Sequence, residues 1–378
     1  MDFELTAEQQ LLRDTVTEFL ATRYDLEQSR AAARLGAGWQ PEIWHALAAE
    51  VGILGAGLPD SVGGFGGGPV ETMIIAEALG AALVVEPYVD TVVLGGGLLR
   101  RAGGERAASL LRGIVSGEAI TAFAALEEDS GYDVRRVSTS ARREGDSWVL
   151  DGAKTVVTTA PLATHLLVTA RTADAAGLSL FVVAADTPGL TLHPYRTIDD
   201  RSAADVLLDG VRIPADALLG TEGGADDSLE RAVDEAVAAI AAEAVGGMRR
   251  VLADTVDYAK QRRQFGVPIG SFQVLAHRLV DMHLELEQSI AATYLVTLRL
   301  DADPTVRARA AAAAKATIGR AARFIGQHAV QLHGAMGMTE ELAIGHYFKR
   351  LTAIEYEWGT TDQHIARYAA LQIGPAVR

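Results

Sequence analysis

The chain has 378 residues, 49% of them hydrophobic, and a slightly positive mean hydropathy, enough for a large core and for two or three domains rather than one small module. Lys and Arg number 34 against 49 Asp and Glu; the net charge of −15 argues against sequence-independent nucleic-acid binding, which needs basic patches to displace counterions. Cysteine is absent, which excludes disulfides, thiolate metal sites and a cysteine nucleophile.

In chain order, the opening segment MDFELTAEQQLLRDTV lacks a basic region followed by an apolar one, so no signal peptide is expected. No window offers about 18 uninterrupted apolar residues, and a cytoplasmic protein with no membrane attachment is the plain expectation. Thr6 and Gln9 form a capping-box pattern, after which Leu12, Val16, Phe19 and Leu20 recur on one helical face. A second helix is expected over 38–55, with Pro41 near its start, and an apolar helix follows the glycine-rich GGFGGG at 63–68. Another helix runs through ERAASLLRGIVSGE. From about residue 119 short β-branched runs take over, with Asp151-Gly152 and Asp209-Gly210 read as hairpin turns between them. After residue 220 four long alanine-rich helices are expected, roughly 228–260, 271–301, 304–332 and 339–371, which suggests a bundle. The pattern is α+β: a helical domain at 1–118, a β domain at 119–220 and a four-helix bundle at 221–378.

GGFGGG lacks the Lys-Ser/Thr of a phosphate-binding P-loop and has no clear strand before it, so a tight structural turn is the favoured reading. His328 and His333 have no matching carboxylate cluster, and no metal site is expected. Neither a G-x-S-x-G elbow nor an assembled Ser/His/Asp set is present. YAKQRRQFGVPIGSFQ (258–273) reads either as a charged helix end with a Gly-Pro stop or as an anion clamp, guanidinium groups for phosphate beside an aromatic ring for a base. QLHGAMGMTEE (331–341) is a second glycine-rich break, where backbone can approach a ligand's phosphates or simply turn between helices.

Together, in this order and about sixty residues apart, these two segments resemble the acyl-CoA dehydrogenase family, and the likeness covers essentially the whole chain. ETMIIAEALG, VVEPYVDTVVLGG, QFGVPIGSFQVL and GHYFKRLT are similar to the small subunit of pimeloyl-CoA-type members. The resemblance implies FAD as cofactor, an acyl-CoA thioester as substrate and an electron-transfer flavoprotein as acceptor. A carboxylate removes the α-proton while the β-hydrogen leaves as hydride, so base and flavin must flank one C–C bond. It also implies flavins at subunit interfaces in a homo- or hetero-oligomer.

Residue by residue, the half donated to a neighbour's flavin matches. Arg262 stands at the pyrophosphate arginine, Phe265 at the adenosine-pocket aromatic, Gln273 at the glutamine of the following helix, and Gln331 with Gly334 at the glycine break. The half that would hold this chain's own ring departs. T-E-P-G-x-G-S-D appears as LEEDSGYD (126–133), with Tyr132 for a small serine; W-[IV]-[TS]-N appears as VVTT (156–159), with Thr158 keeping the hydroxyl expected near N5 but Val156 replacing the stacking tryptophan. The catalytic Glu-Gly-Thr falls on Trp358-Gly359-Thr360, and indole N–H is a donor that cannot accept a proton. The alternative family location for the base falls on Ala236, with Val237 beside it in place of an arginine. Glu357 is the foremost stand-in, although one residue along a helix turns the side chain by about 100°. Glu235 carries the same objection, and Glu243, two turns from Ala236, reads as structural.

The favoured expectation is a FAD-binding but catalytically degenerate subunit that works with a catalytic paralogue. The alternatives are a self-sufficient enzyme using Glu357, and a flavin-free structural or binding protein of the same fold.

Overall fold

The computed structural model describes residues 4–173 and 175–373; residues 1–3 of the opening segment lie outside the described residues. Helix α1 (Ala7–Arg23) opens on the anticipated capping box: Gln9 N donates to Thr6 Oγ1 at 3.2 Å and Thr6 N to Gln9 Oε1 at 3.1 Å, while Val16, Phe19 and Leu20 are buried. Helix α2 (Leu26–Leu35) went unread because its buried face holds Ser29 and Ala33 rather than large apolar residues. Helix α3 (Pro41–Ala49) begins at the expected proline and is shorter than expected, since Gly52 turns at φ 74° into a separate 3-10 turn at Ile53–Gly55.

The GGFGGG segment is a structural turn. Phe65 N donates to Gly55 O, Gly66 N to Leu58 O and Gly67 N to Ala56 O at 2.8–3.0 Å, so its amides are consumed internally rather than offered to phosphate. A Cβ at Gly64 would lie 2.2 Å from Leu58 O. It leads into α4 (Pro69–Ala81), then a wide π-helical stretch at Val89–Gly95, α5 (Gly96–Ala102) and α6 (Gly104–Ser116).

The strands are β1 (Thr121–Ala124), β2 (Ser140–Glu144), β3 (Ser147–Thr158), β4 (His165–Thr172), β5 (Leu178–Ala184), β6 (Leu190–Arg196), β7 (Ser202–Pro214) and β8 (Leu218–Leu219). They form one sheet in the order β6-β7-β3-β2-β4-β5-β8, with β1 parallel to β4. Neither Asp-Gly pair is a hairpin turn. Asp151-Gly152 lies inside β3 and Asp209-Gly210 inside β7, facing each other where the register steps from Leu150↔Val211 to Gly152↔Leu208. The left-handed glycine serves a bulge there, with Gly210 at φ 61° and its N–H on Asp151 Oδ1 at 2.7 Å. The β2–β3 hairpin turns instead at Gly145, φ 60°.

Helix α7 (Asp226–Gln261) is followed by a small hairpin, β9 (Arg263–Gln264) and β10 (Val267–Pro268), then α8 (Gln273–Arg299) and α9 (Pro304–His333). The single helix expected over 339–371 is two, α10 (Ala343–Tyr356) and α11 (Thr361–Ile373), broken at Glu357–Thr360. The break has a local cause, left-handed Trp358 (φ 54°) and Gly359 (φ 111°) followed by a new N-cap at Thr360.

Contacts divide the chain into two compact units. One takes the described residues to Leu26, then Pro69–Val84 and everything from Val237; the other takes Glu27–Gly68 and Val85–Ala236. In the first, Met248, Val251, Leu286, Ile318, Ile325 and Ile354 form the core, and the buried alanines of α9 let helices approach closely. In the second, the sheet buries Leu166, Val168, Phe181 and Val182, with Trp148 edge-on to Phe181 at 5.3 Å. Among the described residues no helix is long and apolar enough to cross a membrane.

Candidate active site

The 355–360 loop is held from behind by buried donors. Lys315 of α9, fully buried, donates from Nζ to Glu355 O at 2.9 Å and to Gly359 O at 2.6 Å. His364 of α11 lies 2.8 Å through Nε2 from Trp358 O; a carbonyl only accepts, so Nε2 carries the proton. Burial pushes the Lys315 ammonium down to about 8, with Glu357 and Glu355 opposing, and pushes His364 down to about 4. A Cβ at position 359 would lie 2.8 Å from His364 Nε2, so glycine is required by both conformation and space. Thr360 caps α11: Gln363 N donates to its hydroxyl at 3.3 Å and its own N–H to Gln363 Oε1 at 2.9 Å.

Glu357 sits on the last turn's edge with its side chain 23% exposed, bound through both oxygens to Arg350. Arg350 also makes a bidentate pair with buried Glu243, Nε to Oε1 at 2.7 Å and a second N–H to Oε2 at 2.9 Å. Glu243 is thus structural, one arm of a Glu–Arg–Glu triad. Ala236, in the other unit, and Val237 are buried and bring no acid, base or cation. Glu235 is gripped by Arg101 at 2.8 and 2.9 Å and by Arg231 at 3.0 Å.

The segment 126–133 is anchored by Glu127. Its carboxylate takes Lys154 Nζ at 2.8 Å, Ser138 N at 2.7 Å and the Thr139 hydroxyl at 2.7 Å. Burial works to raise the Glu127 carboxyl, but the hydrogen bonds from Lys154, Ser138 and Thr139 outweigh it and hold the group at about 2. Tyr132 is half-buried on this segment. At the end of β3, Thr158 donates its hydroxyl to Asp90 Oδ1 at 3.0 Å, and Val156, 55% exposed, stands at φ 50°.

The third region is the hairpin after α7. Phe265 (φ 52°) and Gly266 (φ 82°) form a two-residue turn with both central residues left-handed, which matches the twist of β9 and β10. Phe265 is 92% exposed, edge-on to Phe272 at 6.1 Å. Arg262 is exposed, and its guanidinium has no partner among the described residues. Gln273 is the exposed first residue of α8; Gln331 is exposed in the last turn of α9, which Gly334 ends at φ 62° with nothing near a would-be Cβ. Tyr258, one turn before Arg262, stacks on His333 at 4.3 Å, so the hairpin and the glycine break share one end of the helical unit. Thr360 lies in this unit but at the α10–α11 break, and Thr158 belongs to the other unit.

Sequence reasoning missed Lys315, Arg350, His364 and Asp90. Only Lys315 carried a usable signal, a lone cation within an alanine-rich helical face.

The described elements run as a helical segment, a β sheet and a set of long helices, the domain order of the acyl-CoA dehydrogenase fold. The acyl-CoA dehydrogenase N-terminal, middle and C-terminal domain families match residues 6–118, 122–211 and 224–371. The acyl-CoA dehydrogenase FadE12 of Mycobacterium tuberculosis is 33% identical over 353 residues, 89% of this chain and 88% of that protein. Among solved structures, the ChsE4–ChsE5 complex from Mycobacterium tuberculosis is 28% identical with a TM-score of 0.90 over 100% of both chains. A glutaryl-CoA dehydrogenase from Mycobacterium smegmatis in complex with FADH2 is 27% identical with a TM-score of 0.88, covering 99% of this chain and 97% of that one. The chain belongs to the acyl-CoA dehydrogenase family.

Proposed function

We propose that this chain is a half-site subunit of a heteromeric acyl-CoA dehydrogenase, lending cofactor-binding residues to a catalytic paralogue while lacking a base of its own. The observation that carries this reading is Trp358: the loop position expected to present a carboxylate presents an indole, and the loop is locked in that form by Lys315 and His364. Glu357 is the adjacent carboxylate, but Arg350 binds both its oxygens, which ties up one lone pair on each and orients the carboxylate toward the guanidinium.

The exposed hairpin fits the adenosine-diphosphate part of FAD. Arg262 would hold the diphosphate, Phe265 would stack on the adenine, and Gln273, Gln331 and the Gly334 backbone would complete the contact. Bound FAD supplies the hydride acceptor for acyl-CoA dehydrogenation. Thr158 and Thr360 fit the ring side poorly, because one hydroxyl is committed to Asp90 and the other caps α11. The heteromeric ChsE4–ChsE5 complex supports a paralogous partner, and family membership supports an acyl-CoA substrate and an electron-transfer flavoprotein as the onward acceptor.

The test is a spectrum from 300 to 550 nm of the purified chain, alone and co-expressed with a catalytic paralogue, before and after anaerobic acyl-CoA. Flavin bleached only in the pair is expected. Flavin bound and bleached by the chain alone would overturn the reading in favour of the self-sufficient enzyme, which the partial exposure of Glu357 favours, and Glu357→Gln would then abolish bleaching. A colourless pair would leave the flavin-free alternative.

A further inference from the structure

The end of β3 differs from a cofactor seat in a way that the loss of one tryptophan does not explain. The register of β3 on β7 steps from Lys154↔Val206 to Val157↔Ala204, so Thr155 and Val156 together face Asp205 alone. This bulge drives Val156 to φ 50°, a left-handed conformation that strains a β-branched residue and persists only when its surroundings impose it. Asp205 imposes it. Its Oδ1 accepts the Val156 N–H at 3.0 Å and the Tyr195 hydroxyl at 3.1 Å.

Three residues on, a second carboxylate does the same. Asp90, on the π-helical stretch at Val89–Gly95, accepts the Thr158 hydroxyl on Oδ1 at 3.0 Å and the Thr159 hydroxyl on Oδ2 at 2.5 Å. Thr159, also left-handed at φ 68°, gives its N–H to Ser202 O at 2.9 Å. Every donor just named on this strand end is therefore spent inside the chain, two of the acceptors being anions.

An oxidised isoalloxazine ring presents acceptors at N1, O2, O4 and N5 and a single donor at N3, and it gains negative charge on reduction. A seat for it needs donors and positive potential. The donors named here are already spent and the two carboxylates bring negative charge, and shape agrees, since an aliphatic side chain stands at 156 where a flat platform is expected.

We propose that Asp90 and Asp205 close the flavin-facing end of β3, so that this chain excludes an isoalloxazine ring of its own even while its hairpin engages the adenosine half of a partner's cofactor. The inference rests on the half-site reading for its context and assigns that reading a cause in named residues. Asp90→Asn and Asp205→Asn test it with little disturbance. Asparagine at 205 keeps the one oxygen that accepts both present hydrogen bonds, and at 90 it keeps one of the two accepting oxygens; each removes a charge and adds N–H donors.

The full chain is titrated with FMN, which carries the ring without adenosine, and ring binding is read by flavin fluorescence and induced circular dichroism. Wild type is expected to show no saturable binding to about 1 mM, and the double variant to bind at least about tenfold more tightly. Should the double variant melt far below wild type, Asp205→Asn alone, which keeps the accepting oxygen of both its hydrogen bonds, is read in the same titration. Saturable binding of one ring per wild-type chain overturns the inference, and so do variants that melt like wild type yet bind no better. That second result leaves the half-site reading intact, whereas bleaching of the chain alone by acyl-CoA removes the reading itself, so the two failures are distinguishable.

Discussion

Phe265-Gly266 and Trp358-Gly359 share a pattern and a conformation, an aromatic residue at φ 52° or 54° followed by a glycine at φ 82° or 111°. Their surroundings are opposite. Phe265 projects almost fully into solvent on a hairpin whose neighbouring Arg262 has no partner among the described residues. Trp358 stands on a loop whose carbonyls at 355, 358 and 359 are all taken by Lys315 and His364, beside a Glu–Arg–Glu triad. On the proposed function, a strained aromatic turn with open valences is the one covered by a ligand from outside the chain. The same turn with its valences closed is built to stay as it is.

The comparison breaks most visibly at Arg350. Arg350→Ala removes the guanidinium that pairs with buried Glu243 and partly buried Glu357, and should cost about 3–5 kcal/mol, read as a large fall in melting temperature. A change small enough to sit within surface-mutation scatter would mean that the loop is not held by the triad.

Lys315→Met comes next. It orphans two buried carbonyls, at about 1–3 kcal/mol each, and it alters the pH profile. Burial holds Lys315 at about 8 in the folded chain against 10.5 for the ordinary ammonium, so between these values the unfolded chain binds the extra proton and stability rises with pH. The Lys315 share of the slope, up to about 1.4 kcal/mol per pH unit, should be lost in the variant while that of Lys154, which burial also holds at about 8, remains, as denaturant melts at pH 8 and pH 10 would reveal. Burial lifts Tyr347 to about 12, which works the other way above pH 10 and limits the useful window to that range.

The hairpin should show the smallest stability effect and the clearest functional one. Arg262→Ala and Phe265→Ala are expected to leave the melting temperature of the chain nearly unchanged, within about 0.5 kcal/mol. The flavin retained by the complex with a catalytic paralogue should fall about tenfold or more, since a hydrogen bond to a charged group contributes about 1.5–3 kcal/mol. Unchanged flavin content would remove the asymmetry between the two turns.

What was legible by itself came from local chemistry. The Thr6–Gln9 capping box, Pro41 at a helix start and Gln273 opening α8 each depend on a few adjacent residues, and each is where the motif says, whereas the β9–β10 hairpin at 263–268 reads in sequence only as a helix end or a clamp. The absence of a carboxylate at position 358 was equally plain, because it needed only a register counted along the chain.

Contacts across long sequence separations were hidden. Asp-Gly at 151 and 209 carries a turn signal, but pairing β3 with β7 turned both into opposite sides of one bulge. The break at 357–360 depends on Lys315, forty and more residues earlier, supplying donors to carbonyls that a continuous helix would have satisfied itself. Asp90 meets Thr158 from 68 residues away. Residue types and local spacing settled which groups this chain has to offer. Only the tertiary fold decided which of them were already spent, because a buried donor or acceptor must find its partner wherever packing brings one.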